Sequence, residues 1–421
     1  TAATRVDENG LVNYAEIVGG EDVVNGDFSN GTTGWVGNPE TTLSVSNNEL
    51  DIQSSSAASQ YGTAFSNVNF ELGKQYIVQL TVVSCNNPSQ IRVGGSTSAT
   101  AYSQNIWASG DIGIGTHSKV YTPSQNNAYL AIGGRNDVTT LVIDNVSVKE
   151  VIRDNVPRID YTGGGCPHIL AEPQRTNIVF PSDIAVTQTR TVTAVAYALS
   201  FYGTGSIVLS GTQSSTLTGT GDNDRVDLVF TPTAGSLVLT ISGTVTNFQL
   251  EAGSYATSLI PTVSGQVTRN QDQFIRDGIS SLINSAEGVL FAEIAALSKD
   301  DTNRSICLSN GSSTDRILFR YEGSDTLRGF VISSGVIQVN FTFTHNNINN
   351  LKFAIKWKVN DFALWINGTE VLTDSSGISP TGLDRLALDN GFALEDFFGK
   401  VKQLQVYTTA LSDTQLAALT S

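Results

Sequence analysis

Two stretches roughly 110 residues apart repeat one succession of strand and turn. V-Y-T-P-S-Q-N-N-A-Y-L-A-I-G-G begins at Val120, and V-F-T-P-T-A-G-S-L-V-L-T-I-S-G begins at Val229. Each reads as a strand ending at Thr-Pro, a small polar turn, an apolar strand and a Gly-containing hairpin. The next strands correspond too: L-V-I-D-N-V-S-V-K-E (Leu141 to Glu150) with V-T-N-F-Q-L-E-A-G (Val245 to Gly253). Upstream, I-R-V-G-G-S from Ile91 mirrors I-V-L-S-G-T from Ile207. A strand succession recurring at this separation predicts two copies of one β-sandwich module.

Composition suits that architecture. Only 15% of the 421 residues are charged, and Ser, Thr, Asn and 39 glycines fill the difference, a mixture that favours short strands and many turns. The length predicts several domains rather than one core. Acidic residues outnumber basic ones 39 to 24, a net charge of −15, which argues against a nucleic-acid partner because phosphate binding needs a basic face. No apolar run reaches the ~18 residues of a membrane span, so membrane insertion is not expected. Cys85, Cys166 and Cys307 are too few and too scattered for a disulfide framework. Helical signals are confined to Phe274–Ala286 and to the last turns, where Leu411, Leu416 and Leu419 follow Ser412 at an N-cap position. In N-F-Q-L-E, Phe248 and Leu250 alternate with Asn247, Gln249 and Glu251, the pattern of a half-buried strand. Pro261 then marks the end of its sheet.

The chain is therefore read as all-β, with three β-sandwich (jelly-roll) domains in tandem. The expected divisions are an N-terminal connector (1–22), a first sandwich (23–151), a Pro/Gly connector with fixed bends (152–174) and a second, smaller sandwich (175–262). A linker with a short helix (263–285) and a third sandwich (286–421) follow. In the last, F-A-L-W-I-N-G-T-E-V from Phe362 is a hairpin turning at Asn367-Gly368.

Several phrases carry a resemblance. V-N-G-D-F-S-N-G-T-T-G-W, from Val24, and I-D-N-V-S-V-K-E, from Ile143, resemble the first and last strands of carbohydrate-binding-module jelly rolls. The part from Ala286 resembles the laminin-G or concanavalin-A-like sandwich. Four phrases together resemble structural proteins of tailed bacteriophages, of the head-spike-fibre and tail-fibre kind. They are A-T-R-V-D-E-N-G-L-V (from Ala3), P-R-I-D-Y-T-G-G-G-C-P-H-I-L-A-E-P-Q-R-T-N (from Pro157), Q-L-E-A-G-S-Y-A-T-S-L-I-P-T (from Gln249) and V-T-R-N-Q-D (from Val267). In that family the first two phrases lie close together, so the first sandwich looks like an insertion between them. The chain has no methionine and opens mid-phrase, so an upstream anchoring segment is expected. The resemblance implies a virion-surface location, other virion proteins as partners through that anchor, a homo-oligomer, and attachment to host-surface polysaccharide. A purely structural capsid decoration or fibre spacer stays open as the alternative, with a polysaccharide depolymerase behind it.

The residues point away from catalysis. His117, His168 and His345 lie in separate segments without metal spacing, and no Gly-x-Ser-x-Gly elbow is present. The run Gly163–Gly165 lacks the helix and Lys-Ser/Thr of a phosphate loop. The strands around Phe291, Phe319 and Trp365 lack the close carboxylates that glucanases carry on concanavalin-like folds. No catalytic residue and no required cofactor is expected.

Sugar binding needs an exposed aromatic face with planar hydrogen-bonding groups. Trp107 with Tyr102, Tyr121, Gln104 and Asn105 is the best cluster, and Trp365 a secondary contact; packing into the sandwich core stays open for all these aromatics. Trp35 and Trp357 are expected in the core. Calcium is the ion that suits acidic loops. The jelly-roll resemblance implies a structural site at Glu21, Asp27 and Asp144, and Asp384, Asp389, Asn390 and Asp396 form a second acidic set, with plain solvated loops as the alternative.

Overall fold

The computed structural model describes residues 3–54, 62–100, 102–135, 138–154, 156–164, 166–298, 301–323, 325–344 and 350–421. Strand accounts for 54% of the chain and helix for 4%, so the all-β expectation holds. The chain divides into two compact units, Glu16–Val156 and the discontinuous Thr1–Ala15 with Pro157–Ser421.

In the Glu16–Val156 unit, seven strands make the repeated framework. They are β1 (Thr63–Phe70), β2 (Gln75–Cys85), β3 (Ile91–Ser96), β4 (Gln104–Trp107), β5 (Gly115–Tyr121), β6 (Asn127–Gly134) and β7 (Thr140–Ile152). One sheet runs β4-β3-β6-β1 and the other β5-β2-β7. Alternation builds the core: Tyr76, Val78, Leu80 and Val82 of β2 point inward to meet Val93, Leu130 and Ile132 from the facing sheet. On β7 the register slips between Asp144 and Ser147 around Asn145 at φ 50°. That bulge lets Ile143, Val146 and Val148 all reach the core. Trp35–Gly37 adds to the edge beside β1, and Glu49–Ser54 and Ile17–Glu21 pair with β7.

The second unit holds two further sandwiches. The smaller consists of β8 (Gln188–Val192), β9 (Tyr197–Gly203), β10 (Ser206–Gly211), β11 (Ser215–Thr218), β12 (Gly221–Phe230), β13 (Gly235–Ser242) and β14 (Thr246–Ala252). Its sheets run β11-β10-β13-β8 and β12-β9-β14. Each strand is the counterpart of the one seven places earlier, and both sheet orders are reproduced. The duplication read from Thr-Pro and its turns is thus a duplication of topology.

The C-terminal sandwich packs a seven-stranded sheet against a six-stranded one. Leu290, Ile355 and Leu364 of the first meet Ile306, Phe319 and Val331 of the second, and Phe319 stacks on Phe353 at 3.7 Å. Asn367 and Gly368 take φ 46° and 79°, the left-handed pair that the hairpin requires. The segment 152–174 does more than connect. Its strands Ile159–Asp160 and His168–Ala171 extend the seven-stranded sheet through Gly399–Tyr407. Helix α1 (Asp413–Thr420) opens on a capping box between Ser412 and Gln415 and buries Leu416, as its leucine spacing predicts.

Two expectations are corrected. Phe274–Ala286 is no helix: it contains the two-residue strand Ile275–Arg276 and one 3-10 turn, Ser280–Leu282. Gly278 at φ 70° breaks the run, and Ile279 and Ile283 reach the core from the turn instead. The strand β14 is also not half-buried, because Gln249 and Glu251 are as inaccessible as Phe248 and Leu250. The loop that follows folds back over its polar face and supplies the hydrogen bonds.

Candidate functional site

The four phrases of the phage resemblance come from three separate parts of the chain and meet at one buried polar node. Arg158 and Arg269 both bind the Glu172 carboxylate, at 2.5 and 2.7 Å. Ser258 donates to the same carboxylate through its backbone N–H (2.8 Å) and its hydroxyl (2.6 Å). Asp272 pairs with the other arm of Arg158 and accepts the Glu172 N–H at 2.7 Å. The first phrase joins through Thr4, whose hydroxyl donates to the Leu259 carbonyl at 2.5 Å and whose carbonyl accepts from Arg158. Two cations and two anions cancel, so a cluster almost closed to water carries no net charge. Burial alone pushes the Glu172 carboxyl up, but Arg269, Arg158 and Ser258 outweigh it and hold it down at about 2. Asp272 lies nearer the rim, and there burial wins and pushes its carboxyl up despite Arg158. Beside the node, burial of Asp160 is outweighed by hydrogen bonds from His168, Thr162 and the Val6 N–H, which hold it well below the usual carboxylate range.

A cleft lies against this node within the same unit. One cavity of about 250 Å³ reaches from Glu172 and Ser258 to Thr4, Tyr202 and Arg225. A second, of about 520 Å³, shares Tyr202 and Arg225 and continues to Tyr161, Asn223 and Asp224. Local register produces this wall. Arg225 pairs with Tyr202 across β12 and β9, but the next pair is Gly221 with Gly203. The three intervening residues, Asp222 to Asp224, therefore bulge out of the ladder. The equivalent pair in the first sandwich, β5 with β2, runs from Gly115 to Tyr121 in unbroken register.

The comparisons with known proteins give a likeness to solved structures alone. No family model matches the chain, and no curated protein matches it. A Ruminococcus gnavus sialidase CBM40 module bound to α2,3-sialyllactose is 16% identical, with a TM-score of 0.30, and covers 35% of this chain and 98% of its own. Sheep galectin-11 in complex with glycerol is 7% identical, with a TM-score of 0.25, covering 32% and 97%. Both neighbours are β-sandwiches.

The residues singled out for sugar binding are placed mostly inside. Trp107 is 6% exposed and sits in the core of the first sandwich with Tyr121. Tyr102 donates to the Arg92 carbonyl at 2.9 Å, and Asn105 accepts from the Arg92 guanidinium at 2.9 Å. The Gln104 carboxamide oxygen accepts from Tyr121 and Asn127, so the structure does gather Gln104 with Tyr121 but uses their hydrogen bonds internally. Trp365 is 7% exposed beneath α1, packed with Phe291 and Leu416. Trp35 and Trp357 are buried, in line with their core expectation.

The proposed calcium donors are likewise engaged one by one. Glu21 accepts from Ser147 and the Val148 N–H, Asp27 from Ser29, and Asp144 from Asn145. In the second set Asp389 accepts from the Gly391 N–H, Asn390 from Phe392 and Leu394, and Asp396 from Gln271, while Asp384 lies beside Arg385. Among the described residues no three His, Cys, Asp or Glu side chains form a group that could hold a metal ion. Glu21, Asp27, Asp144, Asp389, Asn390 and Asp396 thus each accept at least one hydrogen bond from the chain's own N–H or O–H groups. His345 and Gly165 lie outside the described residues. The residues that sequence reasoning missed are Tyr161, Tyr202 and Asp222–Arg225. The acidic D-N-D between Gly221 and Arg225, in a position where the first copy is regular, was the available signal.

Proposed function

We propose that this chain is a non-enzymatic surface protein of a tailed-bacteriophage virion that contributes to attachment on host-surface glycans. The observation that carries the virion assignment is the convergence of all four phrases on Arg158, Glu172, Ser258, Arg269 and Asp272. What resembles the phage proteins is thus one three-dimensional joint rather than scattered similarity. Other virion proteins as partners and a homo-oligomer belong to the same reading. Several weak glycan contacts per chain, multiplied over copies, would supply avidity that one shallow site lacks. Catalysis has no support in the node, since Glu172 and Asp272 are consumed by arginines and the former is 3% exposed.

A second reading, a capsid decoration or fibre spacer, is favoured by the burial of Trp107 and Trp365. Competition decides between the two. Purified chain, in its oligomeric form, is added to host cells before phage. Saturable binding with blocked adsorption supports attachment, whereas absence of binding leaves the spacer. Release of reducing sugar from host polysaccharide would instead make the chain a depolymerase.

A further inference from the structure

We propose that the cleft bounded by Tyr161, Tyr202, Asn223, Asp224 and Arg225 is a binding site for one or two sugar units of a neutral glycan. This inference rests on the attachment reading and gives it a location.

Size and chemistry both fit. The larger cavity, about 520 Å³, falls in the range of roughly 300–1,000 Å³ usual for small-molecule sites. Its wall combines two tyrosine rings with an amide, a carboxylate and a guanidinium, the planar groups that pair with vicinal hydroxyls. These groups are available. Among the described residues, no hydrogen bond is made by the side chains of Tyr161, Tyr202, Asn223 or Asp224, in contrast to Asp7, Asp160 and Glu172 nearby, whose oxygens are all engaged. Arg225 is held in place by one arm, which donates to the Ser200 hydroxyl at 2.7 Å. The larger cavity has an acidic excess, with Asp7, Glu8 and Asp224 against Arg225. A neutral, hydroxyl-rich ligand suits that excess better than a polyanion.

The comparison between the two copies adds an independent reason. One module occurs twice, and the extra Asp222–Asp224 bulge is present only where the ladder borders this cavity. A bulge re-aims side chains at the cost of ladder hydrogen bonds. Here it carries Asn223 and Asp224 to the cavity wall.

The test uses the full chain and the purified surface polysaccharide of the infected bacterium, with affinity read by interferometry. Asn223→Ala with Asp224→Ala changes two exposed side chains outside the core, and Tyr202→Phe removes only a hydroxyl. The expected result is a loss of at least tenfold in affinity for the double variant and a smaller loss for Tyr202→Phe, with thermal midpoints unchanged. Wild-type binding that both variants retain in full overturns the cleft and leaves the attachment reading standing. Wild-type chain that does not bind at all overturns both.

Discussion

At the residue scale, the node makes a definite demand on Glu172. Its folded carboxyl is held at about 2, below its ordinary 4.5. A depressed carboxylate contributes stability that is present above its unfolded value and lost as pH falls through the folded one. The unit containing Glu172 should therefore lose stability between about pH 4.5 and 2, with Asp272, shifted upward, opposing the trend. Glu172→Gln leaves two buried guanidiniums without their shared anion, which costs about 3–5 kcal/mol. It should also flatten the acid limb, as calorimetry across pH would record. Trp107 makes the opposite kind of prediction. Because it is 6% exposed, Trp107→Ala should destabilise the first sandwich by about 3–5 kcal/mol and leave glycan affinity of the folded protein unchanged. A normal midpoint with lost binding would instead make Trp107 a sugar contact. The node itself was invisible in the sequence. Glu172 and Ser258 are 86 positions apart, and Arg158 and Asp272 114, so no local pattern marks them as partners.

At the element scale, what was legible depended on whether the signal was local. The repeated Thr-Pro turns, the Asn367-Gly368 hairpin and the Ser412 cap act within a few residues, and each appears as expected. Apolar spacing alone misled at Phe274–Ala286, where i and i+4 positions suit a 3-10 turn between extended segments as well as a helix. Alternation misled at β14, because it cannot say whether a polar face meets water or another loop. The cleft was half legible: Asp222–Asp224 reads as a polar turn, and only comparison with the unbroken first copy shows it as extra. The cap yields a measurable consequence. Ser412→Ala removes the acceptor for the Gln415 N–H and should cost about 1 kcal/mol, within the 0.5–2 kcal/mol of N-cap losses. Since α1 covers Trp365, the same change should raise quenching of tryptophan fluorescence by acrylamide before global unfolding begins. Unchanged quenching and midpoint would mean that Leu416 alone holds the helix in place.

At the scale of the whole molecule, the chain is one framework interrupted by another. The unit formed by Thr1–Ala15 and Pro157–Ser421 is closed around its own contacts. The Val6 N–H donates to Asp160, the Tyr161 N–H to the Val6 carbonyl, and Arg158 reaches the Thr4 carbonyl. The cut ends converge on the same place, for the Ala15 N–H donates to Ala3, next to Thr4, and Pro157 precedes Arg158. The Glu16–Val156 unit has a separate core, and its first strand, Ile17–Glu21, pairs with its last, β7. Insertion of a self-contained sandwich into a surface connection costs little, since closure entropy grows slowly with loop length. Replacing 16–156 by a short Gly-Ser linker should therefore leave a soluble protein whose single calorimetric transition keeps the midpoint of the corresponding transition in the full chain to within a few degrees. The Glu172-dependent acid limb should persist in it, because every partner of Glu172 remains. Aggregation of the shortened chain, or loss of that limb, would mean that the inserted sandwich supports the node and that the two units are not separable.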